Sequence, residues 1–368
     1  MQSDENPDIK SDMQSDENPD IKRSIRLDMK RDIRRNIKRD EKYKERYEGG
    51  TMRTSAISEK EKDSCCLGID IGGTHIRLAL VDGQYRAAAF ELLNTQEVLT
   101  GAGTTAENLG RCIWEYCRRN SGGELPQAVS IGFPSTINRA HTVVLQTPNI
   151  DCIPDHCTAA ADLAAELGIP VFINRDVNNL LLYDVMDLQL ENCDTIAGIY
   201  FGTGIGNAIM IGGKMLYGHN GVAAELGHVP VYGNHRVCNC GNTGCLETIA
   251  SGSALQQIRS TCFPETEVGE LFTRHGTSPE LKDFVTAMAQ TAALEINLLD
   301  PDAIVIGGGL LSMEDFPTGE MEEEIRRYAR KPYPAENLRI LYSRPDQING
   351  TIGAAVYAGK RMQNPAYL

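Results

Sequence analysis

Three cysteines fall within eight residues, Cys238, Cys240 and Cys245, and His228 lies ten residues before the first. Three thiolates and one imidazole make a tetrahedral zinc set, and the interspersed glycines allow the tight backbone that this spacing needs. His219 and His235 compete by proximity as the fourth ligand, and three unrelated thiols are the plain alternative. Glu225 and Glu247 flank the knuckle, either as acceptors for the hydroxyls of a polyhydroxylated ligand or as surface charges. His228 can bind a metal through one ring nitrogen and donate to a ligand through the other. Asp176 follows the buried run that ends Ile173-Asn174-Arg175 and opens an apolar helix, Leu180 to Val185. A carboxylate there is a helix N-cap, or a general base that takes the proton from an attacking hydroxyl.

Two Gly/Thr-rich turns suggest anion binding. Alternating apolar residues on both sides of Gly72-Gly73-Thr74-His75 read as a β-hairpin. Glycines permit φ > 0 and let backbone N–H groups approach an anion closely. A shift of 130 residues places Gly68-Ile69 on Gly198-Ile199, Gly72 on Gly202 and Asp82-Gly83 on Gly212-Gly213. The second segment contains Gly202-Thr203-Gly204-Ile205-Gly206. The repeat predicts two similar half-domains facing one another across a cleft, with a nucleotide polyphosphate between two rings of backbone donors. Asp70, beside the first turn, suits a hydrated Mg²⁺.

The elements that must position these groups read as α/β. Thr104 and Glu107 form a capping box ahead of a helix over 104–119. Ala128–Phe133 and Val171–Ile173 read as buried strands, and Ser278-Pro279 starts a helix to about Leu298. Ala303–Ile306 is a strand that ends in Gly307-Gly308-Gly309, a cluster that either admits a base or ribose or forms a tight turn.

Charge divides the 368 residues in two. Residues 1–64 hold 16 basic and 16 acidic groups, so the net −14 lies wholly in residues 65–368. An acidic body argues against a nucleic-acid binder. No apolar run approaches the ~18–20 residues that span a bilayer, and the first residues are not a secretory signal. Eleven scattered or clustered cysteines indicate a reducing, cytoplasmic setting. MQSDENPDIK occurs at 1–10 and again at 13–22. Residues 1–64 are expected to be a disordered or weakly helical charged extension. Glu48-Gly49-Gly50-Thr51 can be encoded by a purine-rich stretch resembling a bacterial ribosome-binding site, so Met52 is the expected native start.

From about residue 66 to 361 the chain resembles the ROK family (repressors, open reading frames and sugar kinases) of the actin-like ATPase superfamily. The matching motifs are Asp70-Ile-Gly-Gly-Thr74, Pro148-Asn149, Asp176-Val-Asn178, Gly202-Thr-Gly-Ile-Gly206, Glu225-Leu-Gly-His228, Cys238-x-Cys240-Gly-x-x-Gly-Cys245-Leu-Glu247 and Gly307-Gly-Gly309. The resemblance implies two actin-like (ribonuclease H-like) domains flanking a cleft, residues 65–174 with 350–368 and residues 175–349. It implies Asp176 as the base toward a sugar 6-hydroxyl, with Asn149, Arg175, Glu225, His228 and Glu247 around the sugar. It implies structural Zn²⁺ on His228, Cys238, Cys240 and Cys245. Gly68, Asp70, Gly72, Gly73, Thr74, His75, Gly202, Thr203 and Gly204 would hold the phosphates of Mg-ATP, with Gly307, Gly308 and Gly309 near the adenosine. Gly132-Phe-Pro134, Thr147-Pro-Asn-Ile150 and Lys331-Pro-Tyr-Pro334 look most like D-allose kinases, so D-allose is the expected acceptor, ahead of glucose, N-acetylmannosamine or fructose. Two departures stand out: Arg175 precedes the base where family glucokinases have Asn, and Ala224 replaces the Gly expected before Glu225. A sugar-sensing repressor would need a winged helix-turn-helix, and residues 1–64 lack the apolar positions for one. The resemblance favours a homodimer.

Overall fold

The computed structural model describes residues 65–148 and 150–367; the N-terminal extension, the proposed start at Met52 and Asn149 lie outside the described residues. The strands in chain order are β1 (Cys66–Ile71), β2 (His75–Val81), β3 (Ala87–Asn94), β4 (Ala128–Phe133), β5 (Thr136–Ile137), β6 (Val144–Gln146), β7 (Val171–Arg175), β8 (Thr195–Phe201), β9 (Ile205–Ile211), β10 (Lys214–Met215), β11 (Ala303–Gly307) and β12 (Ile340–Tyr342). The α-helices are α1 (Thr95–Leu99), α2 (Thr105–Asn120), α3 (Ala159–Leu167), α4 (Asp176–Asp187), α5 (Glu247–Ala250), α6 (Gly252–Cys262), α7 (Leu271–His275), α8 (Pro279–Leu299), α9 (Thr318–Tyr328) and α10 (Asn349–Gln363).

Local signals set several of these boundaries. Thr104 and Glu107 close both bonds of the capping box at α2. Ser278 caps α8 with Pro279 in its first turn, and the helix stops where Asp300 turns left-handed at φ +45°. Strands β7 and β11 run one or two residues past the apolar runs that predict them, to Arg175 and Gly307.

Two five-stranded sheets carry the same plan. In order β3-β2-β1-β4-β7, the first three strands are antiparallel neighbours and β1-β4-β7 are parallel. In order β10-β9-β8-β11-β12 the pattern repeats. The repeat is not residue-for-residue through the turn. Ile71 pairs with Ile76 across four residues, whereas Phe201 pairs with Ile205 across three. The 130-residue shift therefore holds up to the turn and becomes 129 after it.

Both faces of each sheet are covered, so the strands read as near-continuous apolar runs. The period of two sorts their side chains. Ile76, Leu78 and Leu80 face the core under α2 and α3, while Ala79 and Val81 face inward. Ile304 and Ile306 face the core under α8, while Ala303 and Val305 face inward. The inward faces of the two sheets share one core with α4 and α10, which lie between them. Those helices and β1 are packed without room for a methyl group. A Cβ on Gly353 would overlap the Asn179 carbonyl of α4, and one on Gly68 would overlap the Thr351 carbonyl of α10. No helix among the described residues is long and apolar enough to cross a membrane.

Candidate active site

The two turns are held by partners distant in sequence. At the first, the Gly72 N–H donates to the His75 carbonyl at 2.9 Å. Buried Thr95, opening α1, donates from Oγ1 to the Gly72 carbonyl at 2.7 Å and from its N–H to Thr74 at 3.0 Å. At the second, the Gly202 N–H donates to the Gly204 carbonyl at 3.0 Å. The start of α6 grips it: Gly252 N–H donates to Gly202 at 2.8 Å, and Ser253 donates to the Thr203 carbonyl from N–H and Oγ at 3.0 and 2.9 Å. None of Gly72, Gly73, Gly202 and Gly204 has positive φ. The freedom to adopt φ > 0 is therefore not what these turns use; at Gly204 the need is space, because a Cβ would overlap the Glu247 carboxylate.

Gly308 does have positive φ, +98°, and a Cβ there would overlap the Phe201 backbone. A Cβ on Gly307 would press on Ser343 and Tyr200. Those two glycines have a packing reason, whereas Gly309 faces open space.

Asp176 is the first residue of α4, and Arg175 is the N-cap, with no side-chain cap bond. Among the described residues the Asp176 carboxylate accepts its neighbour's N–H, from Val177 at 2.7 Å, and none two or three residues on, so the N-cap reading does not hold. Burial, reinforced by the charge of Asp70, pushes the Asp176 carboxyl up to about 7. Burial also raises Asp70, against the pull of Arg77, whose Nη1 lies 3.3 Å from its Oδ2. Gly132 and Gly350 make this crowding feasible. A Cβ on Gly132 would come within 2.8 Å of Asn179 Nδ2 and 3.3 Å of the Asp176 Cα; one on Gly350 would come within 2.7 Å of the Asp70 Cγ. Buried Asn174 fixes the junction, accepting the Arg175 N–H at 3.0 Å and an Asn178 amide at 3.2 Å while donating to Asn179 at 2.9 Å. The signal for Asn174 was the four-residue spacing to Asn178; Thr95, Ser253 and Gly350 had no local signal.

The knuckle brings its donors together. The ligand atoms of His228, Cys238, Cys240 and Cys245 all lie within 4.8 Å of one another. His228 Nδ1 is 3.6 Å from Cys238 Sγ, and Cys240 Sγ is 3.7 Å from Cys245 Sγ. Metal–ligand bonds of about 2.0–2.3 Å in a tetrahedron put ligands about 3.3–3.8 Å apart, so the set fits structural zinc, with His228 the histidine of the cluster. Left-handed Gly241 and Gly244 supply the reversal. His228 Nε2 points away from the sulfurs, 3.7 Å from Glu225 Oε2. Arg175 Nη2 donates to Glu225 Oε1 at 2.6 Å and Nη1 to the Ala223 carbonyl at 2.8 Å. Glu247 accepts the Ile205 N–H at 3.0 Å, and its other oxygen lies 4.0 Å from Cys238 Sγ. A run of contacts thus leads from Asp176 through Arg175, Glu225 and His228 to the cysteines, then through Glu247 to the second turn.

The ROK family model matches residues 66–361. A glucokinase of Thermotoga maritima is 29% identical over 80% of this chain and 98% of its own length. An N-acetyl-D-glucosamine kinase of Haemophilus influenzae is 29% identical over 67% of this chain and 84% of its own. Among solved structures, a ROK family glucokinase from Streptomyces griseus in complex with glucose and AMPPNP superposes with a TM-score of 0.64 at 28% identity, over 79% of this chain and 98% of that one.

Proposed function

Because the chain belongs to the ROK family, we propose that it is an ATP-dependent sugar kinase that phosphorylates the 6-hydroxyl of a hexose. The observation that carries this reading is Asp176, a carboxyl raised to about 7 at the head of a helix, beside Asp70 and next to the Arg175–Glu225 pair. A base poised near the working pH accepts a proton most effectively. Asp176 takes the proton of the 6-hydroxyl as that oxygen bonds to the γ-phosphorus and the bond to the β-phosphate oxygen breaks, leaving ADP. Backbone donors of the two turns hold the phosphates, and Asp70 and Arg77 set the charge beside them. Mg²⁺ near Asp70 would neutralise charge on the transferring group, and zinc on the His/Cys₃ set would brace the sugar loop. Asn149, Glu225, His228 and Glu247 hold the ring, and Gly309 borders the nucleoside. Residues 65–174 with 350–368 and residues 175–349 close on the substrates as two domains, in a homodimer.

The acceptor we favour is glucose or its 2-acetamido derivative. The relatives' names support that class, and D-allose, the acceptor expected from sequence wording, finds no support among them. The test is a panel of hexoses with coupled ADP detection, run on wild type and Asp176→Asn. Wild type should turn over glucose or N-acetylglucosamine fastest, and the variant should lose about 10³-fold in kcat while still binding sugar. Faster turnover of D-allose, or a variant near wild type, overturns the reading.

A further inference from the structure

Ala224 holds φ at +65°, the left-handed region that disfavours a Cβ about tenfold relative to glycine. The residues on either side of it are gripped by one side chain. Arg175 donates to the carbonyl of Ala223 at 2.8 Å and to the carboxylate of Glu225 at 2.6 Å, and it is only 11% exposed. Its backbone is fixed by Asn174, which accepts its N–H. The upstream side of the turn is also anchored. The Ala223 N–H donates to Tyr217 at 3.0 Å, and a Cβ on Gly221 would overlap the Ile137 carbonyl. Beyond the turn, the Glu225 carbonyl accepts the His228 N–H at 3.0 Å, while Arg175 alone bridges residues 223 and 225 through one side chain.

We propose that Arg175 is a positioning residue that straps residues 223–225 into the left-handed turn, and so aims the Glu225 carboxylate without a required contact to the sugar. A planar guanidinium bridges a carbonyl and a carboxylate at once, which a lysine ammonium does not. Glycine at 224 would adopt the turn freely. The strap and the glycine are therefore alternative solutions, and each removes the need for the other. The kinetic consequence rests on the reading of Glu225 as a sugar ligand; the strap itself does not.

The test compares the full-length wild type with Arg175→Ala, Ala224→Gly and the double variant by two readouts. Hydrogen exchange over residues 221–228 reads the turn, and the KM for glucose, the KM for ATP and kcat read its consequence. Arg175→Ala is expected to speed exchange about tenfold and raise the glucose KM about tenfold, with the ATP KM and bound zinc unchanged. Ala224→Gly stays near wild type, and the double variant recovers most of both losses. Where the alanine variant does not accumulate, Arg175→Lys carries the same comparison. Wild-type exchange in Arg175→Ala, or equal exchange in the single and double variants, overturns the strap. Recovered exchange with no recovery of the glucose KM overturns the claim that Arg175 acts through the turn. Recovered exchange with no hexose phosphorylated, even by wild type, leaves the strap standing and removes the sugar reading instead.

Discussion

Asp70 and Tyr200 occupy the same rung of two hairpins, one pair before the turn, with Arg77 opposite the first and Gly206 opposite the second. The first hairpin places a carboxylate and a guanidinium at the mouth of its turn. The second places an uncharged ring, and its hydroxyl donates to Asp184 of α4 at 2.7 Å, where Ser343 donates to the other oxygen at 2.8 Å. One copy of the duplicated fold brings charge to the cleft. The other uses the same rung to hold the helix that carries Asp176, and sets no charge there beside its turn. Duplication of the backbone has not duplicated the chemistry.

The sharpest way to break this contrast is to neutralise each rung. Asp70→Asn should cost about 10²-fold in kcat with little change in the sugar KM. Tyr200→Phe should keep kcat near wild type and lower stability by about 1–3 kcal/mol, because buried Asp184 loses the Tyr200 hydroxyl as a donor. Equal kinetic losses would show that the two rungs do the same work. Glycines of the second turn make the next test. Gly204→Ala forces the Glu247 carboxylate aside and should raise the sugar KM about tenfold, whereas a Cβ on Gly202 meets no protein atom within 4 Å, so Gly202→Ala should leave the sugar KM unchanged and raise only the KM for ATP.

A smaller effect separates the charged copy in pH. Asp176 must be ionised to act as a base, so kcat should rise with pH through about 7. Asp70 contributes to that raised value, so in Asp70→Asn the residual activity should rise at lower pH than in wild type. An unmoved limb would mean that Asp70 does not act on the base. The smallest test belongs to the second hairpin alone. Asn207 of β9 donates to both oxygens of buried Glu295 at 2.8 Å, and burial pushes that carboxyl from 4.5 up to about 8. The folded state keeps a proton that the unfolded chain releases above about 4.5, so this group's contribution to stability falls as pH rises from there through about 8. Glu295→Gln should flatten that slope in melts across the range, with no change in the pH profile of kcat.

What the sequence disclosed was what short-range bonds determine. Thr104 with Glu107, and Ser278 with Pro279 beside it and the Leu281 N–H three residues on, mark helix starts because cap and partner lie within one turn. The Cys₃His set was visible for the same reason, being closed within eighteen residues. Features set by distant partners were hidden. Gly132, Gly350 and Gly353 matter because Asp176, Asp70 and Asn179 approach from elsewhere in the chain. Asp176 looked like a cap because its position at the head of α4 was legible and the direction of its carboxylate was not. The glycines of both turns do not use the φ > 0 that glycine permits, and the steric need at Gly204 comes from Glu247, a neighbour the local sequence does not reveal.

Glu247 stands two residues after a zinc-cluster cysteine and accepts the amide of Ile205 at the foot of the second turn. For anyone redesigning the acceptor, this makes position 247 an awkward handle. If Glu247 holds the sugar as proposed, a substitution chosen to admit a new one also frees the Ile205 amide at the second turn and leaves the space beside Gly204 unfilled. On the sugar-kinase reading, selectivity gained there arrives with a change in the turn that would hold the second substrate.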